Sequence, residues 1–438
     1  MLSFLSYSAV TEQDAFAAQK TQPSKKINCA KPAKATKLRA TCSVKKIPAK
    51  TAPPAKPITN ANSVTAGSNV SAPPISNPTL LLKTDSVECK LPSQNTRGDV
   101  EVGFPKVSNR VRSVGEIHSL MIFVDFSDAP ATVEAKTVYS YFDSAPAILK
   151  DLTYGKTNLH IATDVQWHRM SKSSASYAQD LTASFLGLRA FMSEAIALAS
   201  KTNDLTGIDL VYVVTSPNTK NVTHSMAFVA RPGSEISIGG TTISNGAIFG
   251  SNTSSAYAKT LVHETSHTFG LVDDWNVNYN SSTPNDAFRF TGDFSIMGSL
   301  YGVAPEYFAW ESWLMGWLDD SQVNCFAPGD QTFTLQSLES SGGIKMAVIP
   351  TSATQAVIVE YRRQTLADKR LPTSGVLVYT IDTKIPSASG PLRVVGGTAS
   401  RQLTDALLTN GEHLSVGNVN LKVISLTADT STINLSFN

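Results

Sequence analysis

Residues 119–126, Ser-Leu-Met-Ile-Phe-Val-Asp-Phe, form a short and almost unbroken apolar run, which predicts a buried strand. Residues 208–214 read the same way, and 158–170 reads as a further strand. Between them, 133–149 and 181–200 carry helical spacing, the second with Phe185, Leu188, Phe191 and Ile196 along one face. The order strand, helix, strand, helix, strand describes an α/β sheet with helices packed on it. Residues 224–230 add a short strand ahead of the Gly239-Gly240 turn. After Cys325 the rhythm changes to short alternating segments at 332–338, 344–349, 356–362, 375–381, 413–426 and 431–437. Turn residues separate them at near-regular intervals, which predicts an antiparallel β-sandwich.

From residue 20 to 78 the pattern is missing. Lys, Ala, Pro, Ser, Thr and Asn dominate, with too little apolar surface to offset the entropy of ordering, so a disordered tail is expected. The chain therefore divides into a basic tail (1–78), a first folded domain (79–325) and a β-sandwich domain (326–438). The tail holds eleven basic and two acidic residues, a surplus of nine; against a formal net charge of +2 for 438 residues, the remainder carries −7. Such a tail suits a solvated linker or pro-segment remnant, or contact with a polyanion or cell envelope. Its cations are not interleaved with aromatics, so no specific nucleic-acid partner is expected. No apolar run reaches eighteen residues, and no transmembrane segment is expected.

Chemistry concentrates in 261–275, which contains His263-Glu264-x-x-His267-x-x-Gly270-x-x-Asp273. Residues four apart share a helix face, so His263 and His267 can point two imidazole nitrogens at one metal ion with Glu264 alongside. Gly270 stands where a left-handed residue would end the helix, and the reversal can return Asp273 toward the histidines. Three protein ligands and one open position is the catalytic form of a zinc site. Structural sites fill all four positions, usually with cysteine, and no cysteine lies near this helix. Ser254 or Ser255 is the expected helix cap, and Leu261, Val262 and Phe269 supply its packing face. The other histidines, His118, His160, His168 and His413, lack partner spacing and read as structural. No Walker loop, Rossmann fingerprint or G-x-S-x-G elbow is present.

With Ser295-Ile296-Met297-Gly298 downstream, this pattern resembles the metzincin zinc peptidases, in which a methionine turn lies under the metal. The aspartate in place of a third histidine resembles the M6 family, the immune inhibitor A-like secreted bacterial endopeptidases. Segments at 122–128, 154–156, 310–317, 359–362 and 375–379 agree, so the resemblance spans roughly residues 100–385. The tyrosine that astacins carry two positions after the methionine is missing here.

The resemblance implies an α+β architecture: a metzincin-like catalytic domain with a mixed sheet, zinc helix and methionine turn, followed by the sandwich. It implies one catalytic Zn²⁺ held by His263, His267 and Asp273, with a structural Ca²⁺ allowed as a second ion. Asp274, Glu306 and Glu311 compete for the third ligand position. The family spacing and the methionine turn favour Asp273, and leave Asp274 to hydrogen-bond the loop or a ligand histidine. Glu264 would serve as general base, Met297 as apolar floor, and an edge strand at 224–230 or 246–250 would receive a protein or peptide substrate in extended form. The expected function is that of a secreted zinc metalloendopeptidase; the alternative is a noncatalytic adhesion or envelope-binding protein that keeps the metallopeptidase fold.

The four cysteines, Cys29, Cys42, Cys89 and Cys325, are too scattered for a Cys₄ metal site and fit two disulfides in an oxidising compartment. One pairing joins Cys29 to Cys42 and Cys89 to Cys325. Residues 1–10 are mildly apolar and Ala15-Phe16-Ala17 has the small-x-small form of a cleavage site, but without a positive n-region this is at most a poor or truncated signal. Secretion is expected from the cysteines and the resemblance.

Overall fold

The computed structural model describes residues 83–94, 99–253, 256–283 and 285–438. The basic tail with Cys29 and Cys42, and the expected cap at Ser254 or Ser255, lie outside them. A short strand, β1 (Lys83–Thr84), precedes the long β2 (Gly115–Asp125). The helix expected over 133–149 is divided into α1 (Ala135–Tyr139) and α2 (Ala145–Leu152). Pro146, in the first turn of α2, lacks the N–H that a continuous helix would need at that point. After β3 (Thr157–Arg169), the helix expected over 181–200 is also divided, into α3 (Ser174–Ala183) and α4 (Phe185–Ala199). Ser184 between them is extended, at φ −171°, and its hydroxyl accepts from the Gly187 N–H as the cap of α4. Gly187 fits because it has no Cβ, which would lie 1.9 Å from the Asp180 carbonyl oxygen.

Next come β4 (Leu210–Thr215), β5 (Met226–Val229), the hairpin β6 (Ile236–Ile238) and β7 (Thr241–Ile243), and β8 (Asn245–Phe249). Five of these strands form a sheet of order β3-β2-β4-β8-β5, parallel except for the antiparallel edge strand β5. Of the two segments expected to offer an edge, 226–229 does so, and 245–249 lies inside the sheet. Alternate side chains bury opposite faces. Met121, Phe123, Tyr212, Val214 and Phe249 pack with Leu149 of α2 and with Leu261, Val262 and Phe269 of the metal-motif helix, α5 (Tyr257–Phe269). Ile122, Val124, Val211, Val213 and Ile248 pack on Leu188, Phe191 and Ile196 of α4. Burial on both faces is why these strands read as continuous apolar runs.

Past the short helix α6 (Ala309–Leu314) the chain is nearly all strand: β9 (Val323–Phe326), β10 (Gln331–Gln336), β11 (Met346–Pro350), β12 (Gln355–Arg362), β13 (Gly375–Asp382), β14 (Leu392–Val394), β15 (His413–Val416), β16 (Val419–Leu426) and β17 (Thr430–Phe437). The segment expected at 413–426 is the hairpin β15–β16, turning at Gly417 with φ +60°. A six-stranded sheet, β1-β9-β11-β12-β13-β14, meets a four-stranded one, β10-β17-β16-β15, across Ile349, Val357, Val359, Val378, Leu421 and Ile433. The intervening residues Met346, Val348, Ile358, Leu377 and Tyr379 face the other way, onto Phe308, Trp310 and Trp313. The six-stranded sheet is therefore covered on both sides. It is antiparallel apart from the parallel pair β9–β11, and the boundary expected between 325 and 326 falls inside β9. A Cys89–Cys325 disulfide links β9 to the turn that follows β1. Among the described residues, no helix is long and apolar enough to cross a membrane.

Candidate metal centre

Helix α5 presents His263 and His267 on one face, and Gly270 ends it in the left-handed conformation at φ +116°, its N–H returning to the His267 carbonyl. The residues between the histidines are buried too. Thr265 Oγ1 lies 2.7 Å from the Tyr212 hydroxyl on β4, and Ser266 Oγ lies 2.5 Å from that of Tyr307, so the helix is tied to elements on two sides. These polar anchors leave no trace in the hydrophobic pattern.

The chain past Gly270 brings Asp273 back. Its Oδ1 lies 3.3 Å from His263 Nε2 and 3.3 Å from His267 Nε2, and the two nitrogens are 3.2 Å apart. His263 Nδ1 is 3.0 Å from the Ile296 carbonyl oxygen and His267 Nδ1 is 2.8 Å from that of Leu271. A carbonyl only accepts, so each neutral imidazole carries its hydrogen on Nδ1 and turns a lone pair at Nε2 toward the other ligands. Two imidazole nitrogens and a carboxylate oxygen converging in this way suit a positive charge, either protons on the nitrogens or a metal ion. Ligand atoms at the corners of a tetrahedron about 2.05 Å from a zinc ion stand about 3.3 Å apart, and the three observed separations match. Among the described residues, His263, His267 and Asp273 form the group able to hold a metal.

Electrostatics follow from the same contacts. Burial disfavours the His263 cation, but the hydrogen bond to Asp273, the charges of Glu264 and Asp273 and the Ile296 carbonyl together outweigh it and lift the imidazole to about 9. His267 moves up for related reasons, against its own burial. Burial would raise Asp273, yet the two imidazoles hold its carboxyl well below the usual range. Without metal, the site thus retains protons where a cation would sit. Glu264 is 6% exposed, and its charge reaches both histidines.

Met297 lies in a turn that contacts His263 through the Ile296 carbonyl. Ser295 adopts φ +63°, its carbonyl accepts from the Gly298 N–H at 3.0 Å, and Met297 is fully buried against Val262 and Ile296. The three alternative third ligands lie elsewhere. Asp274 has its N–H on the Met297 carbonyl at 3.1 Å, while its carboxyl, fully buried, faces Glu311 and not a ligand histidine. Burial, then the Glu311 and Asp273 charges, push that carboxyl well up, which favours its neutral form. Glu311 Oε2 accepts from Ser295 Oγ at 2.9 Å and Phe308 N at 2.8 Å. Glu306 is buried beside Asp368 and Arg362. Of the other histidines, His160 stacks on His118 and meets Glu116, and His168 pairs with Asp164 at 2.7 Å.

Two contacts escape sequence reasoning. Trp275 Nε1 donates to Asp273 Oδ1 at 2.8 Å, and Ser387 Oγ accepts from the Asp273 N–H at 2.9 Å. Trp275 was within reach of a spacing argument, being two residues from the ligand; Ser387, 114 residues away, was not. Compared with known families and curated proteins, the chain matches no family model and no curated sequence.

Proposed function

We propose that this protein is a secreted zinc-dependent endopeptidase of the metzincin kind, similar to the M6 family. One observation carries the reading: two Nε2 lone pairs and one carboxylate oxygen converge at tetrahedral separations, with the Glu264 carboxylate on the same helix. A bound Zn²⁺ would supply Lewis acidity, activating water and polarising the scissile carbonyl.

The chain's own groups do the remainder. Ile296 and Leu271 fix the imidazoles, and Asp273 supplies the negative charge that favours a cation. Glu264 takes the proton of the attacking water and returns it to the leaving amine. Strand β5, with a sheet neighbour on one side, offers backbone donors and acceptors to an extended peptide. The Cys89–Cys325 disulfide supports an oxidising compartment.

Incubating the purified chain with denatured casein, with and without a chelator, tests this. Cleavage that the chelator stops and zinc restores is the expected result. Bound zinc with no cleavage would point instead to the noncatalytic binding protein.

A further inference from the structure

Asp273 is not on the helix that carries the other two ligands. It sits three residues beyond Gly270 in irregular backbone, so the helix does not dictate where its carboxylate points. The neighbouring residue is held from below, Asp274 N–H on the Met297 carbonyl. Asp273 itself is held from the other side, by the loop that joins β13 to β14. Ser387 Oγ accepts from the Asp273 N–H at 2.9 Å, and the Ala388 N–H donates to the Asp273 carbonyl at 2.9 Å. One step on, the Ala388 carbonyl accepts from Val277 N at 3.0 Å. Both backbone polar groups of Asp273 thus end on two consecutive residues of the loop between β13 and β14.

The loop is itself immobilised. Ala388 is buried at φ +58°, a left-handed conformation that a residue with a side chain adopts only when its surroundings impose it. Gly390 lies so close to Phe290 that a Cβ would be 2.6 Å from the ring. Arg393 stacks over the same ring at 4.3 Å, and its guanidinium donates to the Gly390 and Ser389 carbonyls. Phe290 in turn accepts at its carbonyl from Val394 N at 2.8 Å, so the loop and the segment after Asp273 are cross-braced.

We infer that the 383–391 loop is a positioning element of the metal centre, and that Ser387 is a positioning residue which sets the metal affinity through Asp273. The C-terminal sheet is then part of the metal site and not a separable companion. This rests on the reading of His263, His267 and Asp273 as metal ligands. Residues that orient a ligand typically contribute about 10- to 100-fold to metal affinity. Ser387 acts on the ligand's backbone, and the lower end of that range is expected.

The test uses the full chain, stripped with a chelator and titrated with Co²⁺ alone, followed by its visible absorption and by melting with and without the ion. Wild type should bind and give the intense bands of a low-coordinate site. Ser387→Ala should bind about tenfold more weakly, with altered bands and a smaller rise in melting temperature on adding Co²⁺, while Ser387→Thr, which keeps the hydroxyl, restores all three. Wild-type affinity and bands in Ser387→Ala overturn the inference and leave the proposed function standing. So does a melting temperature lowered equally with and without Co²⁺ at unchanged affinity, which marks a structural role only. A wild type that binds no Co²⁺ overturns the ligand reading and the inference with it.

Discussion

His263 Nδ1 donates to the Ile296 carbonyl oxygen across 3.0 Å, so the first of the proposed metal ligands is oriented by the turn that carries Met297. The next residue's carbonyl, that of Met297, receives the Asp274 N–H at 3.1 Å. A displacement of this turn therefore reaches two ligands, one directly and one through its neighbour.

Gly298 is where such a displacement is easiest to impose. A Cβ there would meet Thr291 Oγ1 at 2.4 Å and the Phe294 carbonyl at 2.9 Å. Gly298→Ala should cost about 1–3 kcal/mol of stability, as overpacking in a buried site does, and should weaken zinc binding as well. Denaturant midpoints with and without zinc check it; a metal affinity equal to wild type would separate the turn from the ligands.

Glu264→Gln keeps the size of the side chain and removes its basicity. Zinc content should stay near wild type while casein cleavage falls by about 10²- to 10⁴-fold, the usual worth of a general base. Undiminished cleavage by this variant would remove Glu264 from the mechanism.

Asp273 and Asp274 are adjacent, but their surroundings push the two carboxyls in opposite directions, and their amides should behave differently. Asp273→Asn removes the charge that draws a cation, so tight zinc binding should be lost. Burial favours the neutral form of the Asp274 carboxyl, so Asp274→Asn exchanges one neutral group for another of the same size and should leave zinc affinity within a few-fold. Dissociation constants by chelator competition distinguish the two, and the reverse order would reassign the ligand.

Protons and metal compete for the same nitrogens. Zinc needs neutral imidazole, and in the metal-free site His263 titrates at about 9. Apparent zinc affinity should rise with pH by about tenfold per unit for each proton displaced, and level off above pH about 9. Metal-free stability runs the other way. A histidine whose folded value lies above its unfolded 6.5 contributes fully below pH about 6.5, and that contribution is lost as pH climbs through about 9. Competition titrations and thermal melts between pH 6 and 10, on the loaded and stripped protein, should therefore show opposite slopes.

The order of strands and helices was legible because both faces of the five-stranded sheet are buried, which writes apolar runs into the sequence. The convergence of His263, His267 and Asp273 was legible because two follow helix geometry and the third follows a glycine stop. The division of the longer helix was not, since it turns on the Ser184 hydroxyl capping one helix and on Gly187 touching Asp180, and neither interrupts the apolar spacing. The hold of Ser387 on Asp273 and the facing of Asp274 and Glu311 join residues far apart in the chain, where local propensity carries no signal.

The disulfide between Cys89 and Cys325 encloses 236 residues of separation, including the whole metal motif. A single backbone nick anywhere inside that span leaves two pieces still joined by the sulfur bridge. Nicked chains then run with intact ones until a reductant is added, and a gel without reductant counts both as whole.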